Sequence, residues 1–519
     1  MNIIDIIEDS CNCIISNDVV GYRSNYEQLS NMSNELTLPN GSDEFIEKCK
    51  ELIHHYDDNI SVKLYIYSCI INITKSPSIL DEYIVLLTNL SDMQYEVKYF
   101  YFFNITAWMF WYSKELMQPN EICLATKLLM NIVDSAANEL GDELLSPIPA
   151  DELDTNLIVF ITNQFISERH GPTKHALDHC VSVIRSSRKK VLLLNTAEGT
   201  NSPNFPLFNK YVPAYRDELC NTESILWEGY SVPFFQFSNL MPNTGELTLL
   251  INTIRKLKPH IVIEIGSGSV ATALIERIVP VLTNGTLHSA IEVSATRYQT
   301  ISRAISNQEK DLLNRLGRNA DDMIFSMFST KINEKHSNIS RALLGIPEDS
   351  FAIAIVGSRL KLEITENFIE HLANIVRHRN ICVTFFGSFD NFEALIAKVP
   401  DCKSKIKFYG FTDDTLGCLR QCDLYLNPYR AGGGMSAIEA MAAGIPAVSM
   451  PYGDAGVILG SDFWIESEDE YERAVLKYYN DSEYYRIQAD KASSRGKYLQ
   501  DSDKLFIDTI EEFKKRTMM

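Results

Sequence analysis

A triple glycine between a short apolar strand and a helix constrains the fold of this chain more than any other stretch. Residues 405–456 read KIKFYGFTDDTLGCLRQCDLYLNPYRAGGGMSAIEAMAAGIPAVSMPYGDAG. The apolar run 423–427 predicts a strand, and the three glycines lead directly into a helical pattern over 435–443. Gly444 and Pro446 end that helix, and an apolar strand resumes at 447–450.

The same arrangement predicts an anion site. The first turn of a helix has free backbone N–H groups and the positive end of the helix dipole, which favour phosphate. Glycine lets the ligand approach the backbone, because a side chain would hold it away. The residues expected to hold a diphosphate are Gly432, Gly433, Gly434, Met435 and Ser436. Alternatively, the glycines only permit tight packing between helix and strand.

Glu439 lies one turn into the predicted helix. A carboxylate there repels phosphate but accepts hydrogen bonds from ribose hydroxyls. The segment is therefore predicted to bind a nucleoside diphosphate and not bare phosphate.

Residues 439–446, EAMAAGIP, resemble the Glu-Ala-Met-Ala-x-Gly-x-Pro signature of the group 1 glycosyltransferases, which have the GT-B fold. The resemblance implies an α/β fold with two Rossmann-like domains, and transfer of a sugar, most simply a hexose, from a nucleoside diphosphate sugar such as a UDP-sugar. It also implies chemistry without a bound metal or cofactor. The family's retaining members carry a second Glu eight residues before the first, and here that position is Ala431. Retaining and inverting stereochemistry therefore both stay open.

A second loop in the same half matches the family less closely. The strand pattern at 351–356 runs into Gly357, Ser358, Arg359, Leu360 and Lys361. In the family a Gly-Arg-Leu loop at this place supplies cations to the donor diphosphate, and Ser358 is an insertion here. The resemblance implies that Gly357, Arg359 and Lys361 contact the donor, with the two cations stabilising the leaving group. Alternatively, Arg359 is an ordinary surface cation.

The first half of the α/β region begins in the same way. Apolar runs at 157–162 and 190–194 predict strands, separated by a loop at 163–173 and a helical pattern at 174–185. His170 lies in that loop, at the carboxyl end of the first strand, where doubly wound sheets bind ligands. It is a candidate general base for an acceptor hydroxyl, or a ligand of sugar or phosphate. Alternatively, it is an exposed loop histidine.

A rival interpretation comes from Gly266 and Gly268, which follow a predicted strand at 260–265. An acidic residue, Gly-x-Gly and a helix resemble the adenosylmethionine loop of class I methyltransferases. Glu292, in a strand expected at 287–293, matches that family's ribose-binding acid, but Val270 replaces the third glycine.

Residues 1–150 are predicted to be helical, because apolar residues recur at three- and four-residue spacing. The segments are 43–55, 62–73, 79–90, 95–116 and 121–140. We expect a surface for a partner, an acceptor or a homo-oligomer. A helical extension before a GT-B core also resembles cytoplasmic bacterial glycosyltransferases that modify proteins, which implies a polypeptide acceptor. A glycan or lipid-linked acceptor stays open, as does a non-catalytic protein that binds a nucleotide sugar.

Composition sets the remaining bounds. The chain of 519 residues suits three domains, which we place at 1–150, 155–345 and 346–519, with the last helix, 505–516, crossing back to the middle domain. A net charge of −20 argues against nucleic acid as a partner. Eleven cysteines without framework spacing fit reduced thiols in a cytoplasm.

The aromatic run 99–111 is shorter than the roughly 20 residues of a membrane span, so no transmembrane segment is expected. His175 and His179 have the spacing of a metal pair, but the sequence offers no third ligand and no metal site is predicted.

Overall fold

The computed structural model describes residues 2–35, 42–167, 170–203, 206–237, 240–332 and 338–517. Within these ranges the chain begins with helices only, which we call the helical region. They are α1 (Ile3–Ser16), α2 (Val19–Glu35), α3 (Ser42–His55), α4 (Ile60–Thr74), α5 (Pro77–Asn89), α6 (Tyr95–Trp111), α7 (Ser113–Leu116) and α8 (Pro119–Leu140). The predicted helical start of the chain is confirmed. The single helix expected at 95–116 is broken at Tyr112 into α6 and α7.

The first domain is a sheet of eight strands with helices on both faces. Its elements are β1 (Asp154–Thr162), α9 (Gly171–Ser187), β2 (Lys190–Asn195), β3 (Ser224–Trp227), β4 (Tyr230–Gln236), α10 (Thr244–Leu257), β5 (Pro259–Ile265), α11 (Val270–Ile275), β6 (Val281–Asn284), β7 (Tyr298–Ile301), α12 (Asn307–Arg315) and β8 (Met323–Phe325). The strand order is β3-β4-β2-β1-β5-β6-β7-β8, and all pairs except β3 with β4 are parallel. Central strands such as β1 are apolar without alternation because helices cover both faces.

One strand expected in this domain is wrong. Residues 287–293 form the connection between β6 and β7, and the strand lies earlier, at Val281–Asn284. Leu287, Ile291 and Val293 are buried all the same. Their apolar pattern therefore reflects burial of a connection and not pairing in the sheet.

The second domain repeats the plan with five parallel strands. Its elements are β9 (Phe351–Gly357), α13 (Leu360–Glu363), α14 (Glu366–Val376), β10 (Ile381–Gly387), α15 (Phe392–Ile396), β11 (Ile406–Gly410), α16 (Thr415–Leu419), β12 (Leu424–Leu426), α17 (Gly434–Ala443), β13 (Ala447–Val448), α18 (Gly453–Leu459), α19 (Tyr471–Asn480), α20 (Ser482–Gln500) and α21 (Ser502–Thr517). The strand order is β11-β10-β9-β12-β13. Two Rossmann-like domains behind a helical region are the architecture that the sequence predicted.

The last helix leaves the second domain and packs on the first. Asp503 of α21 accepts two hydrogen bonds from the Arg185 guanidinium, both at 2.6 Å, and one from Ser182 at 2.7 Å. Phe506 and Phe513 are buried in the core of the first domain. The C-terminal helix therefore ties the two domains together, so the predicted span 346–519 includes one element that belongs to the first domain's core.

The helical region is a layer on the first domain and not a separate module. One continuous apolar core joins residues such as Trp108 of α6 and Leu128 of α8 to Val159 of β1 and Leu313 of α12. Most aromatic residues of α6 are buried in this core, among them Tyr99, Phe100 and Phe102. Among the described helices, none combines the length and the apolar character that crossing a bilayer requires.

Candidate active site

A cavity of about 740 Å³ separates the two domains. The residues that follow four parallel strands line it: Asn163 after β1, Gly266 after β5, Ser358 after β9 and Arg430 after β12. These strands are the central neighbours at which the order of each sheet reverses. Ligands of doubly wound folds bind at these switch points, beyond the carboxyl ends of the strands.

Arg359 lies against the triple glycine. Its Nη2 atom is 3.1 Å from the position that a Cβ atom on Gly432 would take. The same nitrogen is 3.3 Å from Oε1 of Glu363. Since α17 begins at Gly434, the guanidinium and the N-terminal end of that helix border the same part of the cavity. Two motifs that the sequence placed separately thus form one positively charged wall.

The three glycines serve different purposes. Gly433 has φ +91°, and a Cβ atom on it would lie 2.6 Å from Nε of Arg430. A Cβ atom on Gly434 would lie 2.8 Å from Ile458. Packing alone thus explains Gly433 and Gly434, whereas Gly432 is the position that lets Arg359 approach the loop. The packing interpretation therefore accounts for Gly433 and Gly434, and the contact of Gly432 with a diphosphate stays a prediction.

Arg430 is a site residue that the sequence analysis missed. It is buried and donates hydrogen bonds at 2.9 Å to Oε2 of Glu363, to Oδ1 of Asn427 and to the hydroxyl of Tyr425. Glu363 therefore bridges Arg430 and Arg359 with its two carboxylate oxygens. An arginine two residues before the glycines was the one available signal, because a buried cation beneath a loop needs partners that only the fold brings together.

Glu439, in the second turn of α17, is partly buried and lines the cavity. Burial raises its pKa to about 7, Lys174 opposes the rise and Asp414 adds to it. Lys174 belongs to α9 of the first domain and lines the cavity opposite Glu439. The sequence analysis did not single out Lys174, although it follows the His170 loop directly. The charge of Lys174 thus favours the ionised form of Glu439, so a residue of the first domain influences the predicted ribose site.

His170 lines the cavity at the start of α9, where its Nδ1 is 2.9 Å from Oγ1 of Thr173. Burial lowers the pKa of His170, so the ring is neutral and able to accept a proton near pH 7. Thr173 itself is buried and accepts a hydrogen bond from the backbone N–H of Ile166 at 3.0 Å. Residues 168 and 169 of the predicted loop lie outside the described residues.

Lys361 differs from the other predicted contacts. Its side chain is exposed on the short helix α13, and it is not among the described residues that line the cavity. Gly357, Met435 and Ser436 do line the cavity. The Ser436 hydroxyl also hydrogen-bonds that of Tyr425 at 2.9 Å and donates to the Gly433 carbonyl. The structure thus brings together the predicted site residues except Lys361, which the turn of α13 directs outward.

Three histidines form a buried cluster at the edge of the cavity, which His175 and His288 help to line. The rings of His175 and His179 are 4.0 Å apart between centroids, and His175 is 5.4 Å from His288. Burial lowers the pKa of His175 to about 4 and that of His288 well below its ordinary value, so the cluster is uncharged at neutral pH. Stacking of His179 on Phe506 at 3.5 Å and of His288 on Phe328 at 4.3 Å is typical of core packing. Among the described residues no group of three or more His, Cys, Asp or Glu has the arrangement of a metal site.

The loop at Gly266 and Gly268 is already occupied by the protein itself. The carboxylate of Glu198 accepts hydrogen bonds from the backbone N–H groups of Val270 at 2.8 Å and Ala271 at 3.1 Å, and from the hydroxyl of Ser269. On the other side, the hydroxyl of Tyr99 donates to the Gly268 carbonyl at 3.0 Å. The backbone N–H groups at the N-terminal end of α11 therefore already donate to a buried carboxylate, which argues against the methyltransferase interpretation.

Comparison with known proteins bears on the fold of the chain and on the family of its second domain. Residues 337–495 match the family described as glycosyl transferases group 1. No curated protein sequence matches the chain significantly. A glycosyltransferase from Rickettsia africae superimposes with a TM-score of 0.50 at 13% identity, over 70% of this chain and 98% of its own. A mutant of the Thermobaculum terrenum O-GlcNAc transferase superimposes with a TM-score of 0.50 at 12% identity, over 99% of this chain and 96% of its own, and so includes the helical region. The GT-B fold is confirmed, and the family match supports glycosyl transfer as the class of activity.

Proposed function

We propose that this GT-B chain, whose second domain matches the group 1 glycosyltransferases, transfers a sugar from a nucleoside diphosphate sugar to an acceptor in the cavity between its two domains. One observation carries the proposal: the Arg359 guanidinium lies beside Gly432, two residues before α17 begins, and Glu439 follows in the second turn of that helix. A diphosphate placed there meets a bidentate cation and a helix N-terminus, and the attached ribose reaches a carboxylate.

The reaction assigns a role to each group. The acceptor hydroxyl attacks the anomeric carbon while the bond from that carbon to the phosphate oxygen breaks, and the nucleoside diphosphate leaves. Arg359 and the N-terminal end of α17 stabilise the negative charge that develops on the leaving oxygen. His170, which stands on the first-domain side of the cavity, accepts the proton of the acceptor hydroxyl. Because these charges come from the protein, we expect activity to persist in EDTA.

The part of the cavity wall that the helical region supplies favours an acceptor larger than a single sugar. Phe103, Phe110 and Trp111 of α6 line the cavity beside Tyr211, and the Phe103 and Tyr211 rings are stacked with centroids 5.5 Å apart. Aromatic faces bind sugar rings and polypeptide side chains alike. A polypeptide acceptor and a glycan or lipid-linked acceptor in the cytoplasm both fit this wall. The name of the structural relative that spans the helical region makes N-acetylglucosamine the first donor sugar to test.

The test is a titration of the full chain with UDP, GDP, their common sugar conjugates and adenosylmethionine, followed by thermal unfolding and calorimetry. The proposal predicts that one nucleoside diphosphate raises the melting temperature. Slow hydrolysis of the matching sugar conjugate without acceptor would support an enzyme. Binding without hydrolysis, and without transfer to peptides or glycolipids, would favour a non-catalytic nucleotide-sugar-binding partner. A response to adenosylmethionine alone would contradict the proposal.

A further inference from the structure

The helical region touches the proposed diphosphate site directly. Phe110, in the last turn of α6, lies under the Arg359 guanidinium, whose Cζ atom is 4.4 Å from the ring centroid. Around the same guanidinium stand Oε1 of Glu363 at 3.3 Å and the backbone of Gly432. An aromatic face, a carboxylate and a glycine thus hold this side chain in one orientation.

A second contact joins the same corner to the second domain. The Tyr429 and Tyr452 rings stack with centroids 4.3 Å apart and an angle of 2° between their planes. Burial raises the pKa of Tyr452, and a hydrogen bond with the side chain of Ser113 in α7 partly offsets that rise. The corner between α6 and α7 therefore meets the second domain at two places, one of which is Arg359.

The two arginines near the glycine loop differ in what they can still bind. Arg430 is 3% exposed in its side chain, and protein groups accept the hydrogen bonds of its guanidinium. Arg359 is 32% exposed in its side chain and lines the cavity. Arg359 is therefore the cation that a ligand reaches, and its orientation decides how well it does so. A free arginine side chain loses considerable rotamer freedom when it binds, and that loss is smaller when the side chain is already held.

We propose that Phe110 is a positioning residue for the nucleoside diphosphate: the helical region completes the donor site by fixing Arg359 against Gly432. This inference rests on the proposed function, since it takes the diphosphate as the ligand of Arg359. It goes further in giving the helical region a part in donor binding as well as in acceptor binding. The strength of a cation–π contact predicts a loss of roughly 2- to 30-fold in affinity when the ring is removed.

The experiment measures UDP binding to the full chain by calorimetry in three variants. F110A removes the ring, F110L keeps an apolar side chain without an aromatic face, and F110W keeps an aromatic face. We expect weaker binding in F110A and F110L and near-normal binding in F110W. F325A is the matched control, because Phe325 is 54% exposed on β8 and does not line the cavity. Thermal unfolding of each variant checks that it is folded.

A double variant separates positioning from general stability. If Phe110 acts through Arg359, F110A has almost no further effect on UDP binding once R359A is present. Additive losses, or F110L binding as tightly as the wild-type protein, would overturn the inference. Should F110A not fold, the comparison of F110L with F110W still decides. Failure of the wild-type chain to bind any nucleoside diphosphate would instead remove the proposed function itself.

Discussion

The guanidinium of Arg359 and the backbone of Gly432 lie side by side, with Nη2 only 3.1 Å from the place of a Cβ atom on the glycine. One residue follows the first strand of the second domain and the other precedes α17. Their contact turns two separate sequence motifs into one wall of the cavity. A substitution at Gly432 therefore tests the position of the Arg359 side chain.

Replacing Gly432 by Ala should weaken UDP binding about tenfold with little loss of stability. The new methyl group displaces the terminal nitrogen of Arg359 without touching other backbone, and Gly432 does not have the positive φ that would strain an alanine. Calorimetric titration with UDP measures the affinity, and urea unfolding of the same variant measures the free energy of unfolding. Unchanged affinity would mean that Arg359 does not contact the ligand from its present position.

Replacing Gly433 by Ala should behave in the opposite way. Its φ of +91° and the 2.6 Å approach of Arg430 Nε to a Cβ atom leave no room for a side chain. We expect a fall of about 1–3 kcal/mol in the free energy of unfolding, clearly larger than for G432A. Urea unfolding of the two variants in parallel is the measurement, and equal stabilities would show that the loop relaxes freely.

The sequence predicted the second domain well because its strands are apolar runs that end at glycine or polar turns, as at Gly357 and Gly410. The sequence analysis failed where apolar residues are buried outside a strand, as in the connection at 287–293. The two glycines at 453 and 456 are typical of a turn, but the segment opens α18, because both glycines serve close packing inside that helix.

The site was predictable only in part. Gly432 and Glu439 lie in a local motif whose physics can be read from the sequence alone. Arg430 and Phe110 act through partners that are distant in the sequence, so no local pattern marks them. Lys361 shows the converse, because its position after Arg359 suggested a second cation, and the direction of α13 turns it toward solvent.

Glu439 predicts a pH dependence of donor binding. Burial raises its pKa to about 7, and the ionised carboxylate is the better acceptor for ribose hydroxyls. Affinity for a UDP-sugar should therefore rise as the pH increases from 6 to 8 and then level off. A sugar conjugate is preferable to UDP, because a terminal phosphate itself titrates near pH ~6.

The variant E439Q is the control for that profile. It should bind the UDP-sugar more weakly at pH 8 and show a flat profile between pH 6 and 8. The same pH dependence in E439Q and in the wild-type protein would remove Glu439 from the ribose site.

Glu264 predicts a pH dependence of stability. It is 1% exposed, and burial raises its pKa from 4.5 to about 8, with Glu198 and Glu292 adding to the rise. Between these pH values the unfolded chain releases a proton that the folded protein keeps. The group therefore lowers the free energy of unfolding by up to about 1.4 kcal/mol per pH unit over this interval.

The variant E264Q lacks this titration but keeps an oxygen that can accept from Ser269 N or from the Thr283 hydroxyl. Its stability relative to the wild-type protein should improve steadily as the pH rises from 5 to 8 in urea unfolding. A difference that does not change with pH would show that Glu264 is ionised in the folded protein.

The most direct test of the account is calorimetric titration of UDP into the wild-type chain, R359A and K361A at one ionic strength. We expect binding by the wild-type chain, a loss of tenfold or more in R359A, and a much smaller loss in K361A because its side chain is exposed outside the cavity. Wild-type binding that R359A leaves unchanged would contradict the central claim that Arg359 and the glycine loop form the diphosphate site.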